Sequence, residues 1–330
     1  MDRRGWMQKV AGLASTAAVG GWVPRTIAAD AGPTPTAKAP MIAGPDPNPR
    51  TPAFRLPKGS VDTHCHIFGP VARYPYSPDR PYTPPEAPLA AFSDLHRKIG
   101  VDRAVIVNAT VYGRDNEVVL DAIAQSDGAY RGIGNVDDKT TEAELAVLDK
   151  GGFDGCRFTF LSRLGGVPDM GTFDRVVERI APLGWHVDLY LEAKTLAAYA
   201  PKLRALPIRY VIDHMGLVNA ADGLDQPGFK ALLALLASDD KCWVKITGPE
   251  RISATGAPFR DAAPYAAKLI ETAPDRVIWG TDWPHPNVKF MPNDGDLVDL
   301  VPLYTADAAL QRKLLVENPD RLFRFARRGS

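Results

Sequence analysis

From residue 57 onward the chain alternates two patterns. Short apolar runs rich in Val, Ile and aromatic residues read as strands: "VDTHCHI" (61–67), "RAVIVNATV" (103–111), "RGIGNV" (131–136), "FDGCRFTF" (153–160), "HVDLYLE" (186–192), "RYVIDHMG" (209–216), "CWVKITG" (242–248) and "RVIWGTDW" (276–283). Between them lie segments whose apolar positions recur at helical spacing, among them "DNEVVLDAIAQS", "TEAELAVLDKG", "GTFDRVVERIAPLG" and "PGFKALLALLASDD". Thr141 and Glu144 have the spacing of a capping box and predict a helix start there. Strands alternating with helices predict parallel pairing through right-handed crossovers. Eight such units match a (β/α)8 TIM barrel, which takes roughly 250 residues. A doubly wound open sheet is the alternative, but no Gly-rich phosphate loop follows the first strand.

The first 56 residues do not share this pattern. Residues 1–31 begin with Arg3 and Arg4, continue through a mildly apolar stretch rich in Ala and Gly, and end in small residues. That stretch is too short to span a membrane and predicts an export signal. The run "RRGWMQK" gives it twin-arginine character and predicts a periplasmic protein. Residues 32–56 are rich in proline and lack apolar periodicity, so an extended linker is expected, with the barrel over 57–330. Cys65, Cys156 and Cys242 each sit in a strand-like run and are expected to be buried thiols.

Composition narrows the partners. Lys and Arg number 39, as do Asp and Glu, so net charge gives no reason to expect nucleic acid or an anionic membrane surface. An anionic small molecule then needs locally gathered cations. In a barrel of this kind the active site lies at the C-terminal ends of the strands. The polar residues there are His64 and His66, Arg157 with Arg163 beyond it, Tyr190 and Glu192, Asp213 and His214, Glu250 and Arg251, and finally Asp282 and His285.

Strand alternation puts His64 and His66 on one face with Asp62 lower on that face, and turns Cys65 toward the helices. One strand histidine is usually a satisfied structural residue, whereas two on one face at a strand end point to chemistry. Asp282 closes an apolar strand, where a buried carboxylate needs a partner. His186, at a strand start, is given no role, His96 is expected at the surface, and Asp188 is expected below the active layer. Glu192 is either a supporting residue of the site or solvent-facing.

Together "DTHCHIFGP", "YPYSP", "DHMG", "PERIS" and "TDWPHPN" resemble the amidohydrolase superfamily over about residues 57–326. Within it they are most similar to the branch of 2-pyrone-4,6-dicarboxylate lactonases, 4-sulfomuconolactone hydrolases and galactarolactone-processing enzymes. The resemblance implies hydrolysis of an anionic unsaturated lactone from aromatic catabolism. Asp282 would activate water, with His64, His66 and His214 facing the developing oxyanion. Arg157, Arg163, Arg251 and Tyr190 would hold the substrate, and Tyr82 and His285 are further expected pocket residues.

His64, His66, His214 and Asp282 would also satisfy one Zn2+. Strand four offers Arg157 in place of a further ligand, which argues against two metals. No metal or one zinc ion remains open, and the arginine-rich pocket favours none. A metal-dependent decarboxylase of the same superfamily, a sugar-acid lactone isomerase and a non-catalytic periplasmic binding protein are the competing readings. A small-molecule anionic lactone is the expected partner of a monomer.

Overall fold

The computed structural model describes residues 39–325. The expected export signal over residues 1–31 lies outside them, as does residue range 32–38 of the expected linker. Eight parallel strands form one sheet in sequence order: β1 (Val61–Cys65), β2 (Arg103–Val107), β3 (Tyr130–Gly134), β4 (Phe153–Thr159), β5 (His186–Tyr190), β6 (Tyr210–Ile212), β7 (Cys242–Ile246) and β8 (Val277–Trp279). The helices between them are α1 (Leu89–Ile99), α2 (Glu117–Ala124), α3 (Glu142–Lys150), α4 (Met170–Ile180), α5 (Leu196–Arg204), α6 (Pro227–Ser238), the one-turn α7 (Pro249–Ile252) and α8 (Ala263–Thr272), with α9 (Asp294–Asp299) following β8. The fold is the expected (β/α)8 barrel. The capping box also forms: Thr141 accepts from the Glu144 amide at 3.1 Å, and the Glu144 carboxylate accepts from the Thr141 amide at 2.6 Å.

Period-2 alternation sorts the strand residues into two cores. Residues pointing outward meet the helices in one continuous apolar layer that includes Cys65, Cys156 and Cys242, all buried free thiols. The inward-pointing Val61, Val105, Val107, Ile133, Val211, Trp243 and Ile278 fill the lower barrel with Leu322 and Phe323. Polar residues occupy the upper part. Strands end earlier than the apolar runs because the chain turns sharply there. His214 and Met215 follow β6 with φ of 50° and 52°, and Asp282 follows β8 with φ of 69°. These are left-handed conformations that cost non-glycine residues energy and cluster at functional sites.

The β8–β1 seam is joined by the residues that lead into the site. The Asp282 amide donates to the His64 carbonyl at 2.7 Å, the His66 amide donates to the Trp283 carbonyl at 2.7 Å, and the Thr63 hydroxyl donates to the Trp279 carbonyl at 2.7 Å. β1 shifts register against β2 between Asp62 and Cys65, and this irregularity corrects two expectations. Asp62 does not share a face with His64. Its carboxylate instead accepts from the Thr281 amide at 2.9 Å and lies 3.2 Å from His96 Nε2. His96 is accordingly not at the surface: it lies on the buried face of α1, its ring 3.9 Å from that of Phe92.

Residues 39–56 contain no helix or strand, as expected of a linker, but they are docked on the barrel. The Ile42 amide donates to the Thr83 carbonyl at 3.1 Å, and the Thr83 amide donates to the Pro40 carbonyl at 2.7 Å. Arg50 pairs with Asp299 at 2.6 Å and with Asp296, while the Phe54 amide donates to Asp299 at 2.7 Å. Two carboxylates on α9 thus hold a segment whose own composition gives it no reason to fold. Among the described residues no helix is long and apolar enough to cross a membrane.

Gly280 shows how tightly the seam is built. A Cβ there would lie 2.7 Å from both Asp62 Oδ1 and the His64 amide nitrogen. Gly280→Ala is therefore expected to lower stability by roughly 1–3 kcal/mol through overpacking and to displace β1. Thermal unfolding checks this, and an unchanged Tm would show that the seam relaxes freely.

Candidate active site

Three strands carry the charged floor of the site. On β7, Trp243 and Lys245 alternate inward and Thr247 continues the register just beyond the strand; on β5, His186, Asp188 and Tyr190 do so; Asp213 follows β6. Lys245 has no solvent exposure, and its ammonium donates to Asp188, lies 3.3 Å from Asp213 Oδ1 and lies 3.2 Å from His64 Nδ1. Burial is the largest influence and would raise the pKa of Asp188 and Asp213, but Lys245 together with His186 at Asp188, and Lys245 together with Arg157 and His214 at Asp213, outweigh it and hold both below the usual carboxylate range. Arg157 Nε lies 3.1 Å from Asp213 Oδ2, and its guanidinium covers the Tyr190 ring at 4.5 Å.

The three histidines stand above this floor. Burial pushes His64 well below the ordinary histidine value, and Lys245 and Arg157 push it further. Burial does the same to His214, whose Nδ1 lies 2.8 Å from the Thr247 hydroxyl. His66 Nδ1 donates to the Val107 carbonyl at 2.7 Å, because a carbonyl can only accept. Its Nε2 therefore faces Asp282 Oδ1, 3.5 Å away.

Asp282 is fully buried, and Arg251 Nε donates to its Oδ2 at 2.6 Å. Burial by itself would raise the Asp282 pKa, but Arg251 and then His214 outweigh it and hold the carboxyl well below its usual range. Burial opposes the Arg251 charge, but Asp282 and Glu250 more than restore it. The result is an ionised carboxylate with one oxygen anchored and the other, Oδ1, buried and without a hydrogen-bond partner.

A cavity of about 330 Å3, counting its solvent-open part, is lined in part by Asp282. His66, Tyr82, Arg157, Arg163, Tyr190, His214, Arg251 and Asp282 all line it, so eight of the ten expected site residues converge there. His64 lies just beneath, with Nε2 3.7 Å from Asp282 Oδ1. His285 does not line this cavity. It lies behind Asp282, fully buried, with Nε2 3.1 Å from Asp294 and Nδ1 3.8 Å from Glu250. Its ring and the Asp282 carboxylate both approach Glu250, with ligand atoms of the three within 4.8 Å of one another, but the ring faces Asp294 and the segment around Ile42 and not the cavity. Glu192 faces solvent, paired with Lys194 at 2.9 Å.

Arg251, expected to hold substrate, lines the cavity, and its guanidinium also clasps the carboxylate expected to activate water. Arg163 donates to the Tyr190 hydroxyl at 2.8 Å and has no carboxylate partner among the described residues.

Residues 61–325 match the family described as Amidohydrolase. The chain belongs to the amidohydrolase family. This amidohydrolase is 42% identical over 285 residues to a 2-pyrone-4,6-dicarboxylate hydrolase of Comamonas testosteroni, an alignment covering 84% of this chain and 93% of that one. It is 40% identical over 296 residues to a 4-sulfomuconolactone hydrolase of Hydrogenophaga intermedia, covering 88% and 97% respectively. Among solved structures it resembles a probable 2-pyrone-4,6-dicarboxylic acid hydrolase from Acinetobacter baumannii with citric acid bound, with a TM-score of 0.72 and 28% identity over 81% of this chain and all of that one.

The donors of this amidohydrolase fit a zinc ion only in part. His64, His66 and Asp282 place ligand atoms within 4.8 Å of one another, and His64, Asp213 and His214 form an overlapping trio. The expected set of His64, His66, His214 and Asp282 is thus divided between two trios that share His64. By type these are zinc donors. By partner they are engaged: Lys245 sits at the second nitrogen of His64, and Arg251 at the second oxygen of Asp282. Lys245, Arg157 and Arg251 already pair with Asp188, Asp213 and Asp282, so a divalent ion at these donors would face three cations held at close range. The arrangement does not fit a resident zinc ion.

Lys245 has no role in the sequence reading, although a lysine between Trp243 and Thr247 on the inward register of an apolar strand was a visible signal. Asp213 was visible at a strand end, but its pairing with residues from β4 and β7 was not.

His285 gives a pH signature. Burial lowers its pKa, but Asp294 and Glu250 outweigh that and push it up to about 10. A raised folded-state value contributes stability that is complete below the unfolded value and is lost as pH rises through the folded one. The loss should run at about 1.4 kcal/mol per pH unit between those values. His285→Gln is expected to melt below the wild type at pH 6, with the gap closing toward pH 10. A gap independent of pH would show that His285 carries no charge in the fold.

Proposed function

We propose that this amidohydrolase opens the ring of an anionic, unsaturated lactone derived from aromatic catabolism. The observation that carries the reading is Asp282. It is ionised, anchored through Oδ2 by Arg251 with Oδ1 left without a hydrogen-bond partner, and lines a cavity edged by histidine, arginine and tyrosine. Two curated relatives at 40% identity or above are named as hydrolases of such rings.

Asp282 Oδ1 takes a proton from a water molecule as that water's oxygen bonds to the lactone carbonyl carbon. Negative charge on the carbonyl oxygen is met by the buried imidazoles of His64 and His214. When the carbonyl re-forms, the ring carbon–oxygen bond breaks and the leaving oxygen departs as an enolate. Its conjugation with the ring unsaturation means that it needs little protonation. The proton held by Asp282 then returns to the product or to solvent. Lactone and water become one ring-opened acid.

Arg163, which lacks a carboxylate partner among the described residues, is the principal anion grip, with Arg157 and the hydroxyls of Tyr190 and Tyr82 around it. The Acinetobacter relative binds citric acid, a polycarboxylate, which is in keeping with an anionic ligand here. The charge pairing described above favours turnover without a metal. The signal-like residues 1–31 support a periplasmic location, which cell fractionation tests.

The direct experiment follows ring absorbance with 4-sulfomuconolactone and 2-pyrone-4,6-dicarboxylate, with and without chelator. Turnover of at least one, insensitive to chelator, is expected. Loss of rate on chelation with recovery on adding Zn2+ would assign the His64, His66 and Asp282 trio to a metal. Asp282→Asn should lower kcat by about 10^3 or more, and near-wild-type turnover would remove Asp282 as the base. Arg163→Met should raise KM by about tenfold or more with a smaller change in kcat, and an unchanged KM would move the anion elsewhere.

A further inference from the structure

Lys245 takes no part in the reaction as written, yet its surroundings are too specific for packing. It projects from β7 between Trp243 below and Thr247 above, wholly buried. An ammonium group has three protons and no lone pair. Three acceptor atoms surround Nζ: Asp188 Oδ2 and, at 3.2 Å, His64 Nδ1 are in hydrogen-bond contact, and Asp213 Oδ1 is ion-paired at 3.3 Å without hydrogen-bond geometry. His64 Nδ1 serves as the third only if it carries a lone pair. The rival arrangement protonates Nδ1 and aims it at Asp213 Oδ1, 3.4 Å away. That sets an N–H against an ammonium 3.2 Å distant and leaves one proton of a buried cation without a partner. Neither Asp213 oxygen has a hydrogen-bond partner, but the charges of Lys245 and Arg157, 3.3 and 3.1 Å away, already compensate the carboxylate, so Asp213 does not need a proton from His64 to offset its charge.

We propose that Lys245 is a positioning residue that fixes the tautomer of His64. Its ammonium donates to Nδ1 and so keeps the ring proton on Nε2, where it faces Asp282 and the carbonyl under attack. His64 Nε2 is buried and has no hydrogen-bond partner, and the carboxylate oxygen it faces is 3.7 Å away. A donor held at that distance is free to shorten onto a substrate oxygen as charge builds there, which is the property required of an oxyanion donor. The same contact explains why the histidine–aspartate trio does not present itself as a zinc site. With its Nε2 lone pair replaced by a proton, His64 is a donor and not a ligand. A fixed ammonium behind the ring thus supplies the polarisation that a metal supplies when histidines ligate it.

The kinetic part of this inference rests on the lactone-opening reading; the tautomer does not. Two-bond proton–nitrogen correlation spectra of histidine-labelled protein distinguish the two tautomers, and His64→Gln identifies the signal. In the unliganded wild type, His64 is expected with its proton on Nε2. In the Lys245→Met/Asp188→Leu double variant, which removes a buried cation and anion together, the proton is expected to move to Nδ1 with Asp213 as acceptor. The double variant should lose about 100-fold in kcat with KM within about threefold, because Lys245 does not reach the cavity. Lys245→Met alone should show the same switch, and the wild-type spectrum decides the assignment should neither variant fold.

A wild-type proton on Nδ1 overturns the proposal. So does a double variant that switches tautomer and keeps kcat within about threefold. Absence of lactone turnover by the wild type would count against the lactone reading alone, and the spectra would still decide the role of Lys245.

Discussion

Inside the upper barrel three cations face three carboxylates, and all six groups are buried: Lys245, Arg157 and Arg251 against Asp188, Asp213 and Asp282. Taking that much charge out of water is expensive unless each group finds its counter-charge at close range. The pairings are mutual. Lys245 holds Asp188 and Asp213, Arg157 holds the far oxygen of Asp213, and Arg251 holds Asp282. Removing any one strands another, so the network specifies how β4, β5, β6, β7 and the loop after β8 sit against one another. It also leaves the buried His64, His66 and His214 rings between fixed charges, an arrangement that packing alone would not favour.

The seam between β8 and β1 couples this network to the fold. Backbone bonds of His64 and His66 to Asp282 and Trp283 join the strands, so the polypeptide bonds that close the barrel are those that set the distances between the water-activating carboxylate and its imidazoles. Gly280 and the register shift beside Asp62 let the two strands approach this closely. Behind the seam the charged His285 between Asp294 and Glu250 braces the loop carrying Asp282. Residues 39–56 reach the same neighbourhood from outside, tied to α9 through Arg50 and to the segment beside Tyr82 through Ile42. Loops around the mouth are therefore held from within and from without, which suits a site whose chemistry depends on preorganised charge.

Arg251 illustrates how one residue type carries different chemistry in different places. A guanidinium at the mouth of an anion-binding barrel reads naturally as a substrate grip, and Arg163 retains that character. Arg251 also lines the cavity, but it keeps Asp282 ionised and aimed, lowering its basicity while leaving one oxygen without a hydrogen-bond partner. A weak but well-placed base is workable when the acyl carbon is activated and the leaving enolate is stable.

Much of this was legible in the chain itself. Eight apolar runs at regular spacing determined the barrel, and the barrel rule that chemistry lies at strand C-termini picked out His64, His66, Arg157, Tyr190, His214 and Asp282, because alternation and strand order are local properties. What only the tertiary structure decided depends on contacts between segments far apart in sequence. Asp62 left its expected face because β1 shifts register, and His96 is buried because that shift offers it a carboxylate. His285 turned away from the cavity because its ring faces Asp294, and residues 39–56 docked because Asp296 and Asp299 await Arg50. Lys245 is the clearest case. Its residue type and inward register were readable in the chain, but the pairing of one ammonium with Asp188, Asp213 and His64 exists only once β1, β5, β6 and β7 stand side by side.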